Sequence, residues 1–118
     1  MLLEVLHSKI HRAAVTGADL NYIGSITVDA DLMDAAGMYT HEKVHVLNLN
    51  NGTRAETYVI PGDRGGREIV MNGALARLAE VGDRVIILAY GFVDEKDISD
   101  HKPNIIVVDE QNHVIQNP

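Results

Sequence analysis

Lys43-Val44-His45-Val46-Leu47-Asn48-Leu49, followed by Asn50-Asn51-Gly52-Thr53 and then by Arg54-Ala55-Glu56-Thr57-Tyr58-Val59-Ile60, is the stretch on which the fold turns. Both flanks carry β-tolerant residues, and Asn-Gly readily takes the positive φ angles that a tight hairpin turn demands. The flanks are therefore two antiparallel strands. Because successive side chains alternate, the second strand sets Arg54, Glu56, Tyr58 and Ile60 on one face and Ala55, Thr57 and Val59 on the other. Pro61-Gly62-Asp63-Arg64-Gly65-Gly66 is expected to break its ladder.

Toward the N-terminus, Ser25-Ile26-Thr27-Val28-Asp29 alternates and predicts a strand. Residues 7–16 predict another, with Lys9 and His11 on one face, that ends at Gly17-Ala18-Asp19. Ala30 to Ala36 reads as a short helix, capped by Asp29 or Asp31 and terminated by Gly37. Toward the C-terminus, a short strand over 68–71 leads to Asn72, placed to cap a helix over 74–80 and to leave the amides of Gly73 and Ala74 free. Residues 84–93, with the apolar run Val85-Ile86-Ile87-Leu88-Ala89, predict a strand buried on both sides, and residues 104–109 predict a second core strand. Residues 94–101 read as a polar helical turn, and 113–116 as a last strand or tail. The sum is a small, mainly β fold of six or so strands with two short connecting helices.

No linker, low-complexity tract or repeat divides the 118 residues, so one domain over 1–118 is expected. Ten Lys plus Arg against seventeen Asp plus Glu give a net charge of −7, which opposes attraction to nucleic-acid phosphates and anionic lipid. The absence of cysteine excludes disulfides, a thiolate nucleophile and cysteine-bound clusters, in keeping with a reducing cytoplasm. No apolar run approaches membrane-spanning length. The reading is a soluble cytoplasmic protein without a nucleic-acid or membrane partner. His41 and His45 are four apart, but the β pattern that starts at Lys43 argues against one helical face presenting both, and no metal site is expected. Gly62, Gly65 and Gly66 lack the following Lys and Ser/Thr of a phosphate-binding loop.

Two groups of residues carry chemistry: the basic Lys9, His11 and Arg54 on predicted strands, and Tyr22-Ile23-Gly24-Ser25 at the entry to one. Taken alone, the first reads as a solvated face and the second as an ordinary turn. The order of blocks along the chain says more. Lys9-Ile10-His11-Arg12, Ala18-Asp19-Leu20 with Tyr22 and Gly24-Ser25, Asn51-Gly52 with Arg54 and Thr57-Tyr58, Val70-Met71-Asn72-Gly73-Ala74, and Val81-Gly82-Asp83 together resemble the pyruvoyl-dependent aspartate 1-decarboxylase family, from about residue 5 to Pro103.

The resemblance implies a double-psi β-barrel, assembled as a homotetramer with sites at subunit boundaries. It implies that the Ser25 hydroxyl attacks the Gly24 carbonyl, that the ester eliminates and hydrolyses, and that the chain divides into residues 1–24 and 25–118, the latter headed by a covalent pyruvoyl group. That group, derived from Ser25, would be the cofactor, holding substrate as a Schiff base while L-aspartate loses CO₂ to give β-alanine for pantothenate and coenzyme A synthesis. Tyr58 would donate the returning proton. Lys9, His11, Arg54, Thr57, Asn72, Gly73, Ala74 and Leu75 would bind substrate. Maturation is either spontaneous or assisted by a further protein.

Strict alternation places Thr57 opposite Arg54 and Tyr58, which calls for a bulge or for a site shared between subunits. The chain also departs from the family pattern: Ile23 stands where an acidic residue is common, Ile26 where Cys is frequent, Leu47 where some members have Trp, and Leu75 where Ala is usual. The competing reading is a non-catalytic barrel for assembly or ligand binding.

Overall fold

β1 runs from Leu2 to Ala14 and is followed by β2 (Gly17–Asp19), β3 (Ile26–Asp29), α1 (Ala30–Ala36), β4 (Lys43–Asn48), β5 (Arg54–Gly62), β6 (Ile69–Asn72), β7 (Arg84–Asp94), β8 (Asn104–Val108) and β9 (Val114–Gln116). These assignments come from a computed structural model that describes residues 1–118. Two 3-10 helices, Gly73–Leu78 and Glu95–Asp100, complete the chain. The strands hydrogen-bond in the order β2-β6-β3-β5-β4-β7-β1-β8-β9. Past the end of β1 the sheet curls back on itself: Thr16 N donates to Ile69 O at 2.8 Å, and Ile69 N to Thr16 Oγ1 at 2.9 Å.

The mainly β expectation holds, with nine strands instead of six. The extra ones are short or terminal. Gly17-Ala18-Asp19 does not merely end the first strand; it forms β2, parallel to β6. β1 begins at Leu2, not residue 7, because its first five residues pair with the far end of β7, from Leu2 opposite Asp94 to Leu6 opposite Tyr90. β5 continues through Pro61 to Gly62, since its last residues join β3 in a parallel ladder, Val28 opposite Pro61 and Asp29 opposite Gly62. In such a ladder only alternate residues bond toward a given neighbour, so the missing proline N–H is tolerated.

The hairpin is present, β4 and β5 pairing from Lys43 opposite Tyr58 to Leu47 opposite Arg54. Its turn is wider than expected. Gly52 alone takes a positive φ, of 75°, while the side chains of Asn48 and Asn51 accept from the amides of Asn50 and Thr53. α1 is bounded as read: Asp29 Oδ1 accepts from Asp31 N at 2.8 Å, and Gly37 closes the helix at φ 75°. Asp29 does more than cap. Almost wholly buried, it also accepts from Gly65 N and Arg67 N, so one carboxylate holds the glycine-rich connection against the helix start.

The core is one cluster, with Ile10, Ile26, Val28, Val59, Ile87 and Ile106 all lacking solvent exposure. β7 buries Val85, Ile87 and Ala89 on one side and Leu88 on the other, though Ile86 stays half-buried. β8 is not buried on both faces: Ile106 and Val108 point inward, and Ile105 and Val107 are only half covered.

Asn112 is a structural residue that the sequence did not announce. Its side chain accepts from Ala14 N at 2.7 Å and donates to Ala14 O at 2.9 Å and Arg67 O at 3.0 Å, standing in for a strand beside the end of β1. It does so at φ 61°, a conformation that asparagine tolerates better than most residues. Asn112→Ala is expected to cost about 3 kcal/mol, since buried backbone groups lose their partners. A urea midpoint unchanged from the parent would refute that.

Candidate active site

Ser25 lies where β3 begins, with β5 on one side and β6 on the other. The pairings of Ile26 with Val59 and with Met71, carried back one residue, put Tyr58 and Asn72 beside it. Asn72 N donates to Ser25 O at 3.0 Å, and Asn72 Nδ2 donates to Ser25 Oγ at 3.2 Å. Ser25 and Asn72 are each 2% exposed. Gly24 and Ser25 have φ of 56° and 82°, so two consecutive residues occupy the left-handed region and one of them carries a Cβ. A serine held there is strained by about 1–2 kcal/mol, and strain of this kind persists only where surrounding contacts impose it.

Those contacts are visible. Gly24 N donates to Tyr22 O at 2.8 Å, closing a tight turn, and the Tyr58 hydroxyl donates to Ile23 O at 3.3 Å. Gly73 packs beneath. A Cβ on it would stand 2.9 Å from Gly24 N and 3.0 Å from Gly24 Cα, and its own φ is 63°, so both space and torsion demand glycine.

Gly24, Ser25, Thr57, Asn72, Ala74 and Leu75 line one cavity of about 200 Å³, together with Ala55, Glu56 and Leu78. It opens at the end of the barrel, where strand faces cease to separate residues. Thr57 enters from the core-side face of β5, and Tyr58 reaches the Gly24 turn from the other. The β4–β5 register is unbroken, so no bulge reconciles them; the loop into β3 wraps the strand end instead.

Asn72 is not the cap it was expected to be. Its side chain makes no capping bond: it is turned across to β3, where Nδ2 donates to Ser25 Oγ and to Thr27 Oγ1, the latter at 2.9 Å, and Oδ1 accepts from no amide of the following turn. The helix that follows is 3-10 and starts at Gly73, ending at Leu78. Thr27, Glu56 and the Ile23 carbonyl belong to the site without having been singled out from sequence. Thr27, two residues after Ser25 and so on its face, and Glu56, on one strand face with Arg54 and Tyr58, each left a signal there; the Ile23 carbonyl left none.

The basic residues are brought only part of the way. Arg54 lies in an adjoining hollow of about 230 Å³ with His45, Ala55 and Glu56. Lys9 and His11 are on β1, separated from β5 by β7 and β4, a distance of about 14 Å at normal strand spacing. They nevertheless share a surface with Arg54 and Tyr58, because cross-strand partners run Lys9, Leu88, His45, Glu56 in one row. Glu56, the carboxylate that lines the cavity, pairs with Lys43 Nζ at 3.3 Å and lies 3.5 Å from His45 Nε2.

His11 is unusual in this group. Its Nδ1 is buried without a hydrogen-bond partner. Burial, and then the positive charges of Lys9, Arg12 and Arg84, hold its pKa below the ordinary 6.5. The unfolded chain therefore takes up this proton first, so His11 opposes folding as pH drops through 6.5 toward the folded-state value, and has no such effect above 6.5. NMR titration is expected to find the His11 ring titrating below 6.5; a midpoint at or above it would refute this environment.

Fold and site together define a β-barrel protein with a strained Gly-Ser linkage held over a small cavity that Thr57 and Asn72 line together with apolar side chains. The aspartate decarboxylase family model matches residues 1–115, and the chain belongs to that family. It is 55% identical to the aspartate 1-decarboxylase of Caldicellulosiruptor bescii over 116 residues, which is 98% of this chain and 91% of that relative. The aspartate 1-decarboxylase of Wolinella succinogenes is 52% identical, again over 98% of this chain and 96% of the relative. Among solved structures, the computationally designed protein msDPBB_sym2 aligns with a TM-score of 0.41 and 22% identity, over 74% of this chain and 99% of its own. No helix is long and apolar enough to cross a membrane.

Proposed function

We propose that the chain is a self-processing decarboxylase that converts L-aspartate to β-alanine and CO₂. The observation that carries this reading is the Gly24-Ser25 linkage, held at two successive positive φ angles with Ser25 Oγ fixed by Asn72. Ser25 Oγ adds to the Gly24 carbonyl carbon; the Gly24–Ser25 C–N bond breaks, the freed nitrogen takes the proton, and an ester joins the two segments. Loss of the Ser25 Hα proton and of the Gly24 carboxylate leaves a dehydroalanine. Water then releases ammonia and leaves a carbonyl at the head of residues 25–118.

The residues present fit such a group, since a small cavity with an amide donor and a hydroxyl adjoins position 25. Once formed, that keto group supplies the electron sink for the pair left at Cα when CO₂ departs. The side chains do the rest. Tyr58 returns a proton to Cα, its hydroxyl already directed at the Gly24 turn. Asn72 and the backbone at Gly73 and Ala74 offer hydrogen bonds to a substrate carboxylate, while Thr57 and Leu75 bound the cavity. Arg54 is suited to grip a carboxylate with its planar fork of donors.

Lys9 and His11 require a second copy. Their surface also carries the half-buried Leu47 and Ile86, an apolar stripe between basic residues of the kind that subunit contacts cover. Docked against the Ser25 opening of a neighbour, it would bring positive charge to a dicarboxylate despite the net −7. We therefore assign a homotetramer of the double-psi type with shared sites, acting in the cytoplasm to supply β-alanine for pantothenate and coenzyme A synthesis. Intact mass measurement of the purified chain and CO₂ release from labelled aspartate test the reading. Fragments 1–24 and 25–118 with activity are expected; a single unbroken, inactive chain would overturn it in favour of a non-catalytic barrel.

A further inference from the structure

The Asn72 amide has two hydrogens, fixed in one plane, and both are taken: Thr27 Oγ1 accepts one at 2.9 Å and Ser25 Oγ the other at 3.2 Å. The terminal torsion of an asparagine is broad, so its plane is set by its partners and not by its own rotamer preference. Here the shorter bond is to Thr27. With one hydrogen committed there, the second is constrained to point at Ser25 Oγ. Asn72 is shut away from water, so no solvent molecule replaces a lost acceptor.

Thr27 is held in place by the fold. It sits between Ile26 and Val28, both wholly buried on the opposite face, and it pairs with Ile60 on β5 and Val70 on β6. Ser25, Thr27 and Asn72 consequently share one face, and the hydroxyl at 27 is the fixed point from which the amide is aimed.

We infer that Thr27 is a positioning residue for chain cleavage: its hydroxyl orients the Asn72 amide, and through it the Ser25 oxygen that attacks Gly24. The inference rests on the self-processing reading and deepens it. It assigns Thr27 a role before the chain divides, because the Asn72 hydrogen that it aims is the one on the serine oxygen, which residue 25 no longer carries afterwards.

The test uses full-length chain isolated before division and follows fragments 1–24 and 25–118 by mass spectrometry over time. Thr27→Val keeps the β-branched shape and removes the acceptor; Thr27→Ser keeps the hydroxyl. Thr27→Val is expected to divide about tenfold more slowly and Thr27→Ser within about twofold of the parent, the first being what loss of one hydrogen bond produces. The thermal midpoint of undivided Thr27→Val is expected to fall by about 3–6 °C, as the loss of one buried acceptor predicts, and that of Thr27→Ser to stay near the parent, so both chains remain folded at the assay temperature. Division of Thr27→Val at the parental rate would overturn the inference, as would Thr27→Ser being equally slow, since that would make shape and not the hydroxyl the cause. Thr27→Ala repeats the measurement should the valine variant fold poorly. Failure of the parent to divide at all would instead strike the self-processing reading, so the two failures are distinct.

Discussion

Ser25→Ala is expected to give a folded chain of 118 residues that never divides and releases no CO₂ from aspartate. Alanine meets the same penalty as serine at φ 82°, so the strain of the turn is kept. What goes is the oxygen. One Asn72 hydrogen loses its acceptor while Thr27 retains the other, so the stability change is expected to stay near 1 kcal/mol. Activity falls to background, because the alanine methyl has no heteroatom with which to break the Gly24 peptide and leave a keto group behind. Intact mass, circular dichroism and CO₂ release decide it together. Division of the alanine chain at Gly24 would show that the oxygen of Ser25 is not the nucleophile.

What could be read from the sequence, and what could not, follows from the range of the forces involved. The Asn51-Gly52 hairpin, the Asp29 cap and the Gly37 stop are local, and each was legible within a few residues of itself. Pro61 was misread as a break because its tolerance depends on Val28, more than thirty positions earlier, arriving in a parallel ladder. Asn72 was misread for a similar reason. As a cap it would have bonded two or three residues ahead, but the antiparallel approach of β3 offered it two hydroxyls, at Ser25 and Thr27, that no local pattern reveals.

Thr57 shows where alternation itself runs out. Its face was assigned correctly and no bulge proved necessary, because Thr57 meets Ser25 across the cavity while Tyr58 reaches the Gly24 turn from the other face of β5. Lys9 and Arg54 were grouped by chemistry; the fold sets two strands between them but keeps them on one surface. That surface, and the spacing on it, are what a bound second copy would have to match.

Tyr58→Phe separates making the active chain from using it. The hydroxyl bond to Ile23 O is 3.3 Å long and the ring is 38% exposed, so water replaces the lost donor with little effect on the turn. Its ring also keeps the edge-on contact with His41, with centroids 6.0 Å apart, because phenylalanine has the same outline. Division into 1–24 and 25–118 is therefore expected to proceed within about twofold of the parent rate. Turnover is different. After CO₂ leaves, a proton must reach Cα, and removing a positioned general acid costs roughly 10²–10⁴ in rate. The fall is expected in kcat with KM little changed, since the hydroxyl is needed after the substrate is held. Quenched-flow CO₂ release and β-alanine formation, compared in the same sample, measure it. Should the phenylalanine chain divide normally and form β-alanine at the parental rate, the proton comes from elsewhere and the role given to Tyr58 is wrong.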